Sequence, residues 1–285
     1  MSNTAARYYQ YTKIRFPLGP LLLHCGLAVL VIGEVSSANN LDSLIYALIY
    51  LLFLFHMRVL DEYKDKDLDD KYYPDRPVQS GTVKLKELGV IGIFNFLLLL
   101  LLGFVQLNSL SWGLYLTAIG YSFLMYKEFF IKDFWNRSPA LYLLSHQVVL
   151  ILLFLVFMQD GYANQSLFRL VANLAFVYGS VLIIELGRKI KRRYDPEGNE
   201  TEDTYAYVWG QRFTINLIVV IGCAVFALNA WTGNLSLIGA WIGISLYGFF
   251  WFLSHVIKKV FIDNAREYSF ILTLLHLIIY LVVQP

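Results

Sequence analysis

The chain has 285 residues, of which 58% are hydrophobic and 16% aromatic, and only 15% carry a charge. Because soluble domains are charged at about 25% of their positions, this composition excludes an ordinary soluble domain and is typical of a membrane protein. The net charge of +2 is too small to indicate a nucleic-acid partner. Cys25 and Cys223 lie far apart in apolar stretches, which favours small buried residues over a disulfide or a metal site.

Nine apolar stretches follow one another along the chain, each long enough to cross a bilayer core at about 18 to 22 residues. None shows strict alternation, and only helices or closed barrels satisfy their backbone in lipid, so we predict helices. The sequence therefore predicts a single all-α integral membrane domain over residues 1–285. The predicted spans are roughly 17–36, 41–60, 88–107, 110–130, 139–158, 167–187, 213–232, 236–257 and 268–283.

The basic residues are concentrated on one side of these predicted helices. Short connectors rich in Gly, Asn and Ser alternate with four longer ones, at about 61–87, 127–138, 188–212 and 258–267. Of the 23 lysines and arginines, all but Arg169 lie in or beside the longer connectors or in the N-terminal segment. The positive-inside rule therefore predicts a multi-pass protein of the cell inner membrane, with its N-terminus and longer connectors in the cytoplasm.

The first long connector carries three aspartates at intervals of four residues, Asp61, Asp65 and Asp69. In a helix this spacing places the three carboxylates on one face. Carboxylates that are close together repel one another unless cations lie among them, and Mg²⁺ prefers oxygen ligands. The spacing alone is equally consistent with a solvated helix end, in which the acids pair with the interleaved lysines Lys64, Lys66 and Lys71.

The same connector then turns back at two prolines. Pro74 and Pro77 end the helix and stiffen the return of the chain. Arg76 lies between them and is predicted to stay near the acidic face. A fixed guanidinium beside carboxylate-bound metal suits a phosphate, which it can bind through two parallel hydrogen bonds.

This pattern resembles the first aspartate-rich motif of the UbiA superfamily of intramembrane prenyltransferases. Asp61 stands where the family usually has Asn, and Asp65 and Asp69 fall on its aspartates. Arg76, Pro77, Ser80 and Gly81 match the turn that follows the motif. The resemblance extends to the nine-span layout. It implies nine transmembrane helices that enclose a central cavity, a site at the cytoplasmic side, and a catalytic, metal-binding role for the three aspartates.

The connector after the sixth span resembles the second motif of that family less closely. The family usually has two aspartates four residues apart, whereas this chain has Glu185 near the first position and Lys189 at the second. A variant with E-x-x-R-K-I and D-T-Y-S matches better and includes Asp203. Glu185 and Asp203 are therefore candidate metal ligands, and Arg188 and Lys189 are candidate diphosphate ligands or ordinary flanking charges. The other acids of this connector are predicted to be solvated: Asp195, Glu197, Glu200 and Glu202.

Two further residues are candidates for substrate binding. Lys127 ends the fourth span, where the family often has a lysine that contacts diphosphate, although a lysine reaching for the membrane surface is favoured here. His146 lies within the fifth span and could orient an acceptor or take its proton. A hydrogen bond between helices is the favoured interpretation of a histidine at that depth.

The resemblance implies Mg²⁺-dependent transfer of an isoprenyl group from a prenyl diphosphate to an aromatic, quinone-precursor type of acceptor. Mg²⁺ and basic side chains would neutralise the departing diphosphate, and aromatic rings would shield the allylic carbocation. The expected partners are thus a prenyl diphosphate, a lipophilic acceptor and the lipid bilayer. Two alternatives stay open: a membrane terpene cyclase that needs no acceptor, and a non-catalytic carrier or scaffold.

Overall fold

The computed structural model of the chain describes residues 4–36, 39–132, 134, 138–161 and 166–283. Arg137, one of the basic residues of the second long connector, lies outside them. The described residues form helices and contain no β-strand, only an isolated bridge between Tyr194 and Glu200. The helices are α1 Thr4–Arg15, α2 Leu18–Ser36, α3 Asn40–Lys64, α4 Lys66–Tyr72, α5 Leu85–Gln106, α6 Ser109–Tyr126, α7 Pro139–Phe157, α8 Leu167–Gly187, α9 Tyr205–Val208, α10 Gln211–Trp231, α11 Leu237–Val256, α12 Lys258–Asp263 and α13 Ala265–Val282.

Each predicted span coincides with one of the long helices, and the all-helical membrane fold is confirmed. Among the described residues, seven helices are long and apolar enough to cross a membrane. Helices α1 and α2, which meet at a bend of 54°, would add an eighth span if they act as one. The count of nine membrane-crossing helices stays a prediction.

Polar residues in the short connectors cap the long helices. The Asn39 side chain accepts hydrogen bonds from the backbone N–H groups at the start of α3, and Asn108 does the same for α6. Ser166 and Ser236 cap α8 and α11 in the same way. Such caps satisfy amide groups that have no partner within the helix, so the Asn- and Ser-rich connectors begin the helices that follow them.

The chain divides into two compact units. Unit 1 comprises Met1–Gly26, Asn39–Val156 and Asp195–Glu197, and unit 2 comprises Leu27–Ala38, Phe157–Tyr194 and Gly198–Pro285. The first acidic motif therefore belongs to unit 1, and the second motif to unit 2.

In unit 1, close packing of α3 against α5 holds the end of α3 that leads into the first motif. A Cβ atom on Gly92 would lie 2.8 Å from Val59 Cγ1, so only glycine lets the two helices approach this closely. The Asn95 side-chain N–H donates to the Leu52 carbonyl at 3.1 Å, a hydrogen bond between the two helices at membrane depth. The α3–α5 pair is thus a rigid support for the motif.

In unit 2, α8 packs against α10 and α13 around buried polar contacts. Asn229 donates to the Ala172 carbonyl at 2.9 Å, and His276 Nε2 lies 3.1 Å from the Phe176 carbonyl oxygen. At the end of α8, Gly187 faces Ser269 so closely that an added Cβ would overlap the serine side chain. These contacts hold the last turn of α8, which carries Glu185.

Candidate active site

The helix that carries the first motif breaks at Asp65. Helix α3 ends at Lys64, Asp65 caps it with φ −92° and ψ 7°, and α4 begins at Lys66. Two backbone hydrogen bonds nevertheless cross the break, from Asp65 N to Asp61 O at 2.9 Å and from Asp69 N to Asp65 O at 2.8 Å. The three aspartates therefore keep their helical spacing across the break, which the sequence pattern does not reveal.

Asp61 and Asp65 are the accessible acids of this motif. Their side chains are 34% and 42% exposed, and Lys64 Nζ lies 3.9 Å from an oxygen of each. Burial by surrounding atoms raises the pKa of the Asp65 carboxyl to about 6, with Asp61 and Asp69 adding repulsion and Lys64 opposing it. Arg58 Nη1 also lies 3.8 Å from Asp61 Oδ2, so one lysine and one arginine face the two carboxylates, each beyond hydrogen-bond distance. The carboxylate oxygens therefore stay accessible to a divalent cation.

Asp69 is in a different environment, because it is buried and both of its oxygens accept from arginines. Its side chain is only 2% exposed. Arg15 Nη2 lies 3.2 Å from Oδ2, and Arg76 Nη1 donates to Oδ1. The Arg76 guanidinium also lies over the Tyr73 ring, 3.7 Å from its centroid. The turn after the motif thus returns Arg76 to the acids.

An aromatic pair lies beside the accessible acids. Lys64 Nζ donates to the Tyr142 hydroxyl at 3.1 Å, and the Tyr142 ring stacks on His146 with centroids 3.8 Å apart. His146 Nδ1 lies 2.9 Å from the Tyr142 carbonyl oxygen, within its own helix. His146 is therefore linked to the motif through Tyr142 and Lys64.

Lys127 has a different neighbour. Its ammonium lies over the ring of Tyr126, 4.8 Å from the centroid, and it forms no ion pair with a described acid. This arrangement agrees with a lysine that reaches for the membrane surface.

Unit 2 gathers Glu185, Arg188 and Lys189 at the end of α8. Arg188 Nε donates to Glu185 Oε2, and Lys189 Nζ lies 3.4 Å from Oε1. The Tyr205 hydroxyl donates to the same Oε1 at 3.3 Å. Burial lowers the pKa of Lys189, an effect that Glu185 opposes and that Arg188 and Arg193 strengthen. Two cations around one carboxylate give this cluster a net positive charge, which suits an anionic substrate.

Asp203 lies on the same loop, with other partners. Its Oδ2 is 3.0 Å from Arg193 Nη1, and its Oδ1 accepts from the Thr201 hydroxyl at 2.7 Å. The Ala206 amide donates to the Lys189 carbonyl at 3.2 Å, so the segment just after Asp203 contacts the residues that follow α8.

Gly81, in the turn after the first motif, and Gly210, at the end of the connector that carries the second, both have a positive φ. Gly81 has φ +74° and Gly210 has φ +82°. Residues with a side chain rarely adopt this left-handed region, so both turns require glycine.

Metal binding would require the acids to change partners. Among the described residues, no three or more Asp, Glu, His or Cys side chains form a cluster that could hold a metal ion. The described carboxylates of the motifs point instead to lysine and arginine. The first motif nevertheless fits a hard cation, because Asp61 and Asp65 are accessible oxygen ligands whose basic neighbours lie 3.8–3.9 Å away, beyond hydrogen-bond distance.

Three residues of unit 1 belong to the site although the sequence reasoning missed them: Arg15, Glu62 and Tyr142. Glu62 and Asp69 are seven positions apart, which is two turns of a helix. This spacing could have predicted from the sequence that the two acids share one helix face. Tyr142 had no comparable signal, because its contact with Lys64 joins two distant helices.

Comparison with known proteins identifies the chain. A model of the UbiA prenyltransferase family matches residues 22–277. The chain belongs to the UbiA prenyltransferase family. It is therefore a prenyltransferase and an integral, multi-pass membrane protein, and both predictions are confirmed.

Individual UbiA relatives cover most of the chain. The digeranylgeranylglyceryl phosphate synthase of Methanosphaera stadtmanae is 25% identical over 223 residues, which are 77% of this chain and 76% of that protein. A UbiA homologue from Archaeoglobus fulgidus, bound to DMAPP and Mg²⁺, has a TM-score of 0.59 at 11% identity and covers 96% of this chain and 100% of its own. An apo UbiA homologue from Aeropyrum pernix has a TM-score of 0.61 at 14% identity, covering 91% and 94%. At these identities the two structures support the shared fold alone.

Proposed function

We propose that this enzyme transfers an isoprenyl group from a prenyl diphosphate to a lipophilic acceptor in a Mg²⁺-dependent reaction. The observation that carries the proposal is the pair of accessible carboxylates, Asp61 and Asp65, whose basic neighbours lie 3.8–3.9 Å away, on the same connector as the Arg76 guanidinium that Asp69 and Tyr73 hold. Loops rich in Lys and Arg favour a cytoplasmic location for this site in the inner membrane.

The proposed metal ligands are carboxylates of both motifs. Asp61 and Asp65 would hold Mg²⁺ in unit 1, and Glu185 and Asp203 would do so in unit 2. Asp69, the third predicted ligand, would keep its two arginine partners and orient Arg76. When bound, Mg²⁺ supplies positive charge that neutralises the departing diphosphate. The A. fulgidus homologue, which was bound to DMAPP and Mg²⁺, supports the choice of ion.

Basic side chains would bind the diphosphate directly. Arg76 offers a planar guanidinium held by Asp69 and Tyr73, which can grip two phosphate oxygens at once. Arg188 and Lys189 would play the same part in unit 2. Lys127 stays a candidate, with less support from its position over Tyr126.

Aromatic side chains would protect the allylic cation that remains when diphosphate leaves. The Tyr142 ring lies beside Lys64 and the two accessible acids, where its face can stabilise positive charge. His146, stacked on this ring, is placed to orient an acceptor or to receive its proton.

Two classes of acceptor compete. The family resemblance favours an aromatic quinone precursor, whose electron-rich ring attacks the cation. The M. stadtmanae relative is named for digeranylgeranylglyceryl phosphate, and this favours a prenyl glycerophosphate whose hydroxyl oxygen attacks instead. A cyclase would use neither.

One experiment separates these possibilities. The purified protein is incubated with Mg²⁺ and prenyl diphosphates of several lengths, with a phenolic quinone precursor, with a prenyl glycerophosphate, or with no acceptor. Diphosphate release and product masses are measured. Transfer predicts release that requires one acceptor class, whereas a cyclic product without acceptor indicates a cyclase.

Two variants locate the activity. Asp65→Ala is expected to abolish release. Asp67→Asn is the matched control, because Asp67 is an exposed acid of α4, two residues from both Asp65 and Asp69. Full activity of Asp65→Ala would refute the site.

A further inference from the structure

A buried cluster of charges connects the N-terminal helix to the first motif. Arg15 Nε donates to Glu62 Oε1 at 2.7 Å, and its Nη2 lies 3.2 Å from Asp69 Oδ2. The side chains of Arg15 and Glu62 are 10% and 0% exposed. The Tyr11 hydroxyl adds a longer contact of 3.4 Å to the same Glu62 oxygen.

Arg15 bridges two helices across the break at Asp65. Glu62 belongs to the last turns of α3, whereas Asp69 belongs to α4. Arg15 is the final residue of α1, directly before the 54° bend into α2. One guanidinium therefore ties the end of α3 to α4 through side chains, in addition to the backbone hydrogen bonds that cross the break.

Charge balance explains why the arrangement is stable. The cluster contains two carboxylates, Glu62 and Asp69, and two guanidiniums, Arg15 and Arg76. Buried charges are tolerated when paired and hydrogen bonded, and removing one partner leaves another uncompensated. Among the described residues, loss of Arg15 would leave Arg76 as the remaining arginine on Asp69 and would remove the side-chain tie between α3 and α4.

We propose that Arg15 is a positioning residue for the diphosphate site. Arg15 fixes the Asp69 carboxylate, and Asp69 in turn orients the Arg76 guanidinium over Tyr73. Arg15 acts through Asp69 and does not touch the substrate. This inference rests on the proposed function, in which Arg76 binds diphosphate.

Binding of a non-reactive ligand tests the inference without turnover. The probe is a thiolodiphosphate analogue of geranyl diphosphate, titrated by calorimetry into purified protein with Mg²⁺. Arg15→Gln is expected to weaken binding roughly tenfold to a hundredfold, the scale of one lost charged hydrogen bond. Arg15→Lys should recover part of the loss, because one ammonium retains the charge but cannot hold both acids as a guanidinium does.

A matched control distinguishes the positioning of Asp69 by Arg15 from a general effect of anchoring helix α1. Arg7 anchors the same helix through Glu87 and the Thr82 carbonyl, both at 2.7 Å, and contacts none of the three aspartates. Arg7→Gln should change analogue binding less than about twofold. Equal losses of analogue affinity in Arg7→Gln and Arg15→Gln would overturn the inference, because they would show that any loosening of α1 weakens binding.

A second variant protects the test against misfolding. Arg15→Gln leaves Glu62 buried without its arginine, so the neutral double variant Arg15→Gln/Glu62→Gln is measured beside it. The double variant should fold, as judged by helical circular dichroism and a monodisperse elution profile, and should show the same weakened binding. Wild-type affinity in the folded double variant would overturn the inference.

A double-mutant cycle with Arg76 identifies the route. If Arg15 acts through Asp69 on Arg76, adding Arg15→Gln to Arg76→Gln should produce no further loss of affinity. Fully additive losses would show that Arg15 acts by another route and would overturn the inference alone. Failure of the wild type to bind the analogue with Mg²⁺ would overturn the proposed function as well, so the two failures are distinguishable.

Discussion

The hydroxyl of Tyr142 accepts a hydrogen bond from Lys64 Nζ at 3.1 Å. Lys64 also lies 3.9 Å from Asp61 and from Asp65. This contact places an aromatic ring of α7 directly beside the carboxylates of the first motif. The ring and the acids therefore form one local environment, in which a diphosphate and the cation it leaves behind would be close together.

Tyr142 should contribute through its ring more than through its hydroxyl. Tyr142→Leu removes the aromatic face, and we expect product formation to slow about tenfold, the value of a cation–π contact of about 1–2 kcal/mol. Tyr142→Phe keeps the face and should retain most activity. Rates are compared at saturating prenyl diphosphate; an equal loss in both variants would instead assign the effect to the Lys64 hydrogen bond.

Asp61 and Asp65 should respond differently to the same substitution. Asparagine is the usual family residue at the first position, so Asp61→Asn keeps a neutral oxygen ligand and should lower the rate less than about tenfold. Asp65 falls on a family aspartate, so Asp65→Asn removes a charged metal ligand. This substitution should lower the rate more than a hundredfold, since metal-assisted charge neutralisation is worth several kcal/mol. Mg²⁺ titrations of diphosphate release measure both. The proposed ranking is wrong if Asp61→Asn is the more damaging variant.

The parts of this fold that depend on local sequence could be predicted. Apolar stretches place every long helix within a few residues, and Asn or Ser caps precede four of them. The four-residue spacing of the aspartates also survives in the structure, because backbone hydrogen bonds continue through Asp65.

The partners of the acids could not be predicted, because they come from distant parts of the chain. Arg15 and Asp69 are 54 positions apart, and Lys64 and Tyr142 are 78 apart. Which pairs meet depends on how α1 and α7 pack against α3, and no short motif encodes this. The sequence thus predicted the three aspartates as one group, but it did not predict that Asp69 is buried and the other two are accessible.

Protons should compete with metal at Asp65. Its pKa of about 6 in the folded chain is above the ordinary 3.8, so the group favours folding fully below pH 3.8 and loses this contribution as pH rises through about 6. Metal binding has the opposite dependence, because only the ionised carboxylate is a ligand. We expect Mn²⁺ affinity, measured by electron paramagnetic resonance without diphosphate, to fall up to about tenfold per pH unit below about pH 6.

The variants of the same motif provide the controls for this pH dependence. Asp61→Asn should keep a decrease, since Asp65 remains, but at lower pH, because the repulsion from Asp61 that helps to raise the pKa of Asp65 is gone. Asp65→Asn should bind Mn²⁺ weakly and without that decrease. Unchanged Mn²⁺ affinity of the wild type between about pH 7 and about pH 5 would contradict the assignment of Asp65 as a ligand.

Gly187 should be essential for the stability of unit 2. A Cβ atom there would overlap the Ser269 side chain, which is buried on α13, so Gly187→Ala forces the two helices apart at the turn that carries Glu185. We expect a loss of about 1–3 kcal/mol in unfolding free energy, measured by thermal denaturation in detergent. Gly120→Ala is the matched control: Gly120 lies within α6 with nothing within 4 Å of an added Cβ, so alanine should leave the melting temperature equal or higher. If Gly187→Ala and Gly120→Ala have the same melting temperature, the α8–α13 contact is not as close as this structure places it.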